Sequence, residues 1–278
     1  MGNQPSFEPK ADRVTSTLPE AVAGPQVAGM TDLPFLIVAA MALTFLLAGF
    51  VKGMIGLGLP TVAMGLLGLV MPPAEAAVLL IVPSLVTNLW QLAFGPGLGA
   101  TIERFWPMML GITLGTWAAA GLMAGASSGQ AAAALGGALA LYAVAGLVKL
   151  PLRVPPAAES WLSPLVGVAT GVVTAATGVF VIPAVPYLQA LELERDRLIQ
   201  ALGLSFTVST LALAAGLAQH GLFDGTLAWG SLASLLPALA GMALGQSLRR
   251  RVRAEVFRRC FFLGLLALGL FLMLEHLG

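Results

Sequence analysis

Charge is missing from long stretches of this chain, and that absence limits its possible folds more than any other feature. Residues 33–51, 53–74, 76–102, 105–148, 160–191, 198–223, 225–248 and 260–274 contain no Asp, Glu, Lys or Arg. A helix needs about 20 mostly apolar residues to cross a bilayer, and irregular backbone is not tolerated against lipid. The runs therefore predict an all-α polytopic membrane protein embedded in a lipid bilayer. Charged residues are 10% of the chain and apolar ones 58%, whereas roughly a quarter of a soluble domain is charged. A net charge of +1 leaves no basic footprint for nucleic acid. Cys260 is the one cysteine, which excludes an intrachain disulfide and a multi-cysteine metal site.

Residues 1–32 differ in kind. Pro5, Pro9, Pro19 and Pro25 alternate with scattered charges and no apolar period, which predicts a mobile N-terminal tail. No basic region precedes a short apolar core and a small-residue cleavage site, so the tail does not read as a signal peptide. Two runs are too long for one helix. Residues 105–148 divide near Ser127-Ser128-Gly129, and 160–191 divide at Ala176-Thr177-Gly178, with Pro183 and Pro186 limiting the second piece. Ten segments result: 33–52, 54–71, 74–95, 105–125, 130–149, 161–177, 179–191, 196–219, 226–247 and 255–276. Whether 33–71 and 161–191 cross fully or form re-entrant hairpins stays open. With both termini outside, the inner connections hold Lys52, Arg104, Lys149, Arg153, Arg195, Arg197, Arg249, Arg250, Arg251, Arg253, Arg258 and Arg259, and only Lys10 and Arg13 of the tail lie outside. This asymmetry is that of a plasma or inner membrane protein under the positive-inside rule, and it explains the RRRVR run as a cytoplasmic anchor.

The chain also repeats itself. GFVKGMIGLGLPTVAM (49–64) and GVATGVVTAATGVFVIP (167–183) share a pattern in which Gly49 and Gly53 fall on Gly167 and Gly171, followed by a Gly/Thr-rich break and a proline. Pro107-x3-Gly111-x3-Gly115 recurs as Pro237-x3-Gly241-x3-Gly245, and aligning 73–88 with 194–209 puts Ser84 on Ser205 and Asn88 on Ser209. Two membrane repeats, 33–150 and 151–278, are predicted. With about five transmembrane or re-entrant segments each, the second is inverted relative to the first. Glycine-broken hydrophobic segments at matching places in two halves are the sequence mark of a secondary-transporter binding site near the bilayer centre.

The GFVKGMIGLGLP stretch, the proline-then-alanine start PPAEAAV and the late G-x3-G before a basic loop resemble the TauE/SafE sulfite exporter family over residues 33–276. The resemblance implies movement, usually outward, of small sulfur-containing anions such as sulfite, sulfoacetate or related sulfonates through duplicated helical halves. In the second half TAATGVF replaces a glycine-richer family version.

Broken helices present free N–H groups, and glycine lets the backbone approach a ligand. Gly56, Leu57 and Gly58 in the first break, and Thr177, Gly178 and Val179 in the second, are therefore expected to hold an oxyanion, with Gly58 and Gly178 on opposite sides of one polar cavity. For Gly49, Gly53, Gly111, Gly115, Gly167, Gly171, Gly241 and Gly245, close helix packing is the favoured role. Ser84, Asn88 and Gln91 share one helix face at i, i+4 and i+7, and Ser205 and Ser209 repeat the first two positions, with Gln200 a turn earlier. These residues either line a pathway or bond across helices. Thr61, Thr174 and Thr177 are hydroxyl donors that can instead bond back to their own helix. Lys52 is interfacial if the first segment crosses fully. It is an intramembrane cation and the substrate's countercharge if the segment turns back.

No Asp, Glu or His falls deep in a predicted span, so no built-in proton relay is visible. No Ser/His/Asp grouping, HExxH or P-loop points to an enzyme, and no cofactor or metal site is expected. Three roles remain open: a carrier with a small anionic substrate, an anion channel, and a non-transporting subunit that docks a partner through glycine faces. Both repeats lie on one chain, so a monomer can suffice; a homodimer is not excluded.

Overall fold

The computed structural model describes residues 32–148, 152–223, 225–249 and 251–277; the tail before Asp32, Lys149, Asp224 and Arg250 lie outside them. The chain forms two units, Met1–Ile37, described only where the first helix begins, and Val38–Gly278. The helix packing belongs to the second unit.

Every regular element among the described residues is a helix. The first, α1, runs Asp32–Ile55, and α2 runs Leu59–Leu67. Gly56 (φ 81°) and Gly58 (φ 107°) separate them in left-handed conformations that L side chains rarely adopt, and Pro60 opens α2. Next come α3 (Pro73–Ala93), α4 (Leu98–Ala118), the short α5 (Gly121–Gly125) and α6 (Ser128–Val148). The second half holds α7 (Pro156–Thr177), α8 (Ala184–Ala190), α9 (Arg195–Gln219), α10 (Gly225–Leu248) and α11 (Ala254–Leu277). Gly178 (φ 69°) ends α7.

Among the described residues eight helices are long and apolar enough to cross a membrane, and their outward-facing large apolar residues, such as Trp106, Trp117, Trp229 and Leu236, are exposed as lipid contact requires. The expected segments 54–71 and 179–191 are not spans. They reduce to α2, with 9 residues, and α8, with 7, about 10–14 Å at 1.5 Å per residue against a core of about 30 Å. Contacts show how the short pieces run. Lys52 meets Thr87 and Asn88, and the Gly56 carbonyl meets Gln91, so α1 and α3 point the same way. Helix α2 and the 68–72 turn must therefore carry the chain back between them. Helix α8 returns along α7: the Tyr187 hydroxyl reaches Ser163, and Val154 N–H donates to the Ala190 carbonyl. Val179, Phe180 and Val181, which connect α7 to α8 without helix, are all fully buried, where protein rather than lipid surrounds them.

The start of the fourth segment also differs from the sequence expectation. Charges at Glu103 and Arg104 place that start at 105, but α4 begins at Leu98. Arg104 stays inside the helix because it forms a two-pronged pair with Glu159 of α7, at 2.6 and 2.8 Å. Pro83 inside α3 cannot donate to the Leu79 carbonyl; Ser231 of α10 does so instead, at 2.9 Å.

The eight paired glycines form two seams. A Cβ on Gly49 or Gly53 would fall 2.0 Å from the Ala238 carbonyl oxygen or 2.2 Å from that of Met242; on Gly241 or Gly245, 2.0 Å from that of Leu46 or 2.2 Å from that of Phe50. Helices α1 and α10 thus touch backbone to backbone and run parallel. Between α4 and α7 the same contacts recur: Gly167 against Met108, Gly171 against Ile112, Gly111 against Pro164 and Gly115 against Val168, all at 2.3–2.4 Å. Packing, the role expected for these glycines, is the one they have.

Candidate functional site

The polar residues predicted for the site separate into a connected group around Lys52 and a scattered remainder. Lys52, in the last turn of α1, is 4% exposed. Its Nζ donates to Thr87 Oγ1 at 3.0 Å and to Asn88 Oδ1. Asn88 Nδ2 extends the chain to Thr210 Oγ1 of α9 at 3.5 Å. Both partners of the ammonium are neutral, and two of its three donors are used. Burying an unpaired cation costs several kcal/mol, so this arrangement favours an anion at the remaining donor. Sequence left Lys52 between an interfacial and a buried position; the structure places it in the interior.

Space for such an anion lies beside it. Lys52, Gly56, Thr87 and Gln91 line a cavity of about 470 Å³, whose far wall includes Gln246 and Arg249. Trp90 and Phe94, with ring centroids 4.4 Å apart, give it an aromatic side, and Asp196 contributes a carboxylate. Gln91 Nε2 donates to the Gly56 carbonyl at 2.8 Å and so fixes the break, while its Oε1 has no partner. A second cavity, about 590 Å³, adjoins the first and shares Arg249 with it. The end of α1 is the wall between them. Lys52, Gly53 and Gly56 line one side; Met54, Ile55 and Leu57 line the other.

The rest of the predicted set lies elsewhere. Gly58 faces Val51 and Phe261, and Gly178 faces Met64 and Ala77; neither lines either cavity, so the two glycines do not flank one polar space here. Thr61 donates to the Gly58 carbonyl at 2.9 Å. Thr174 and Thr177 bond back to Thr170 and Val173 of their own helix, each at 2.7 Å, and Thr177 Oγ1 also accepts from Val179 N–H. Gln200 is engaged at both ends of its amide: it donates to the Leu92 carbonyl and accepts from Thr101. Ser84, Ser205 and Ser209 are fully buried, and their hydroxyls have no partner.

Thr87, Thr210, Gln246 and Arg249 belong to this constellation and were absent from the sequence prediction. Thr87 had a signal, since it lies at i+3 from Ser84 and four residues before Gln91, on the α3 face that Ser84, Asn88 and Gln91 share. Arg249 was explained completely by topology, so nothing prompted a second role.

A family model described as Sulfite exporter TauE/SafE matches residues 41–272, nearly the whole described chain. No curated protein and no solved structure gives a significant match. With the match spanning both glycine seams and the Lys52 cavity, the chain belongs to the TauE/SafE sulfite exporter family.

Proposed function

We propose that this protein exports small sulfur-containing anions, sulfite or sulfonates, by alternating access, with Lys52 as the countercharge of the bound substrate. Family membership makes it a multi-pass membrane transporter of the sulfite or anion exporter type. The observation that carries the finer reading is a buried ammonium with neutral partners on the wall of a cavity. An intramembrane ionisable residue is expensive and by default functional.

Two inverted repeats, 33–150 and 151–278, are the frame of this mechanism. What supports inversion is direction. Asn88 and Gln91 of α3 meet Gly203 of α9 while Leu92 meets Gln200, and Gly136 of α6 meets Gly269 of α11 while Gly146 meets Phe262. Each of these helix pairs, matched by the repeat, therefore runs antiparallel. Orientation in a cell or inner membrane with both termini outside rests on the Lys/Arg asymmetry. It puts both cavities toward the cytoplasm, since Arg195, Arg249 and Arg258 line one of them.

Purified protein in liposomes should take up labelled sulfite or a small sulfonate with saturation, and preloaded unlabelled anion should accelerate that uptake by counterflow. Conductance without saturation would replace the carrier with a channel. No flux across a panel of sulfur anions would sink the transport reading and leave a docking subunit.

A further inference from the structure

The larger cavity holds a second set of cationic groups, which does not include Lys52 and shares only Arg249 with the Lys52 cavity. Arg195, from the first turn of α9, Arg249, just past α10, and Arg258, on α11, all line it. Glu255 lines it too and sits 3.6 Å from Arg259, so the cavity carries a surplus of two positive charges. Its floor is aromatic. Tyr142 meets Phe262 edge-on at 5.3 Å between centroids, and the Arg258 guanidinium lies 6.0 Å from the Phe262 ring centre. The independent sign of a ligand is Tyr142 itself: it is 2% exposed, and its hydroxyl has no hydrogen-bond partner. A phenylalanine would fill the same volume without leaving a buried donor unmet. The hydroxyl is explained if something in the cavity accepts from it.

We propose that this cavity is a binding site for an organic phosphate. The dianionic head lies among the three arginines and accepts from Tyr142, and the hydrocarbon part lies over Phe262, Met54 and Ile55. Three guanidiniums and a hydroxyl match a phosphate's charge and acceptor count, because arginine forks bind phosphate oxygens in pairs. An anionic lipid headgroup and a free phosphate ester present this same chemistry. The site touches transport through α1, whose last turn carries Lys52 on one side and Met54 and Ile55 on the other. Occupancy therefore bears on the helix end that holds the transported anion, which makes the ligand a regulator.

The test is calorimetric titration of the full chain in phosphatidylcholine nanodiscs with hexyl phosphate. Tyr142→Phe should weaken binding about tenfold, the worth of one hydrogen bond to a charged group, and Arg258→Gln at least as much. Lys52→Gln should leave binding intact, because Lys52 faces the other cavity. Arg197→Gln removes the same charge two residues from Arg195 but outside the cavity, and should also leave it intact. Thermal unfolding of ligand-free Tyr142→Phe should not fall below that of the parent, which separates lost binding from lost folding. Phosphatidic acid in the nanodisc that competes with hexyl phosphate assigns the site to a lipid; failure to compete assigns it to a free ester. The proposal is overturned if the parent shows no saturable binding, if Arg197→Gln weakens binding as much as Arg258→Gln, or if only Lys52→Gln weakens it.

Discussion

The break after α1 and the break after α7 come from matching places in the sequence but differ in chemistry. Around the first, Lys52 donates to Thr87 and Asn88, Gln91 donates to the Gly56 carbonyl, and Lys52, Thr87 and Gln91 border open space. Around the second, threonines bond to their own helix, and Val179, Phe180 and Val181 are buried. The offset that places Gly49 on Gly167 places Lys52 on Thr170, whose hydroxyl bonds back to Val166. Of the two interruptions, the first borders the Lys52 cavity through Gly56, whereas residues 178–181 of the second line neither cavity. Matching glycine spacing therefore marks where both helices stop, while the residues around each stop differ.

This contrast can be broken most directly at its charged member. Lys52→Gln should cut sulfite flux in proteoliposomes about a hundredfold, the scale of removing a buried charge partner. Thr170→Val should leave flux unchanged; equal losses would end the asymmetry. The glycine seams should respond alike instead. Gly241→Ala and Gly111→Ala each force a Cβ onto a carbonyl oxygen and should each lower stability by about 1–3 kcal/mol, read as thermal unfolding in detergent. Damage at one seam only would show that the frame is not equivalent. A smaller effect is expected at the aligned pair Asn88 and Ser209. Asn88→Ala leaves Lys52 with Thr87 alone and should lower flux about tenfold, whereas Ser209→Ala removes an unpartnered hydroxyl and should cost nothing. Smallest of all, Thr61→Val and Thr177→Val should each lose about 1 kcal/mol of stability, because each hydroxyl ties down its own break.

Much of the frame was legible in the sequence because it stems from composition and small residues. Uncharged runs located the spanning helices, and Gly-x3-Gly spacing located the seams, since only glycine permits such approach. Charge misled at Arg104, where an ion pair with Glu159 keeps a charged turn helical. The short elements were ambiguous because 160–191 fits one and a half helices, and only the return contact between Tyr187 and Ser163 decides their path. The site was half legible. Lys52, Asn88 and Gln91 were named from their isolation among apolar residues, but polarity alone cannot tell a hydroxyl that bonds only its own helix from one that also borders space. Thr87 bonds back to the Pro83 carbonyl at 2.7 Å just as Thr174 and Thr177 bond back to their own helix; what differs is the lysine that donates to it from the neighbouring helix.

The two backbone seams bear on how this chain can be divided. Helix α1 is fastened to α10, and α4 to α7, so a cut in the α6–α7 connection would give fragments that each own one side of both seams. Produced singly, either piece would offer bare glycine strips to the membrane and should be degraded. Produced together, they should find each other and recover export, a complementation that chains with self-contained halves would not need.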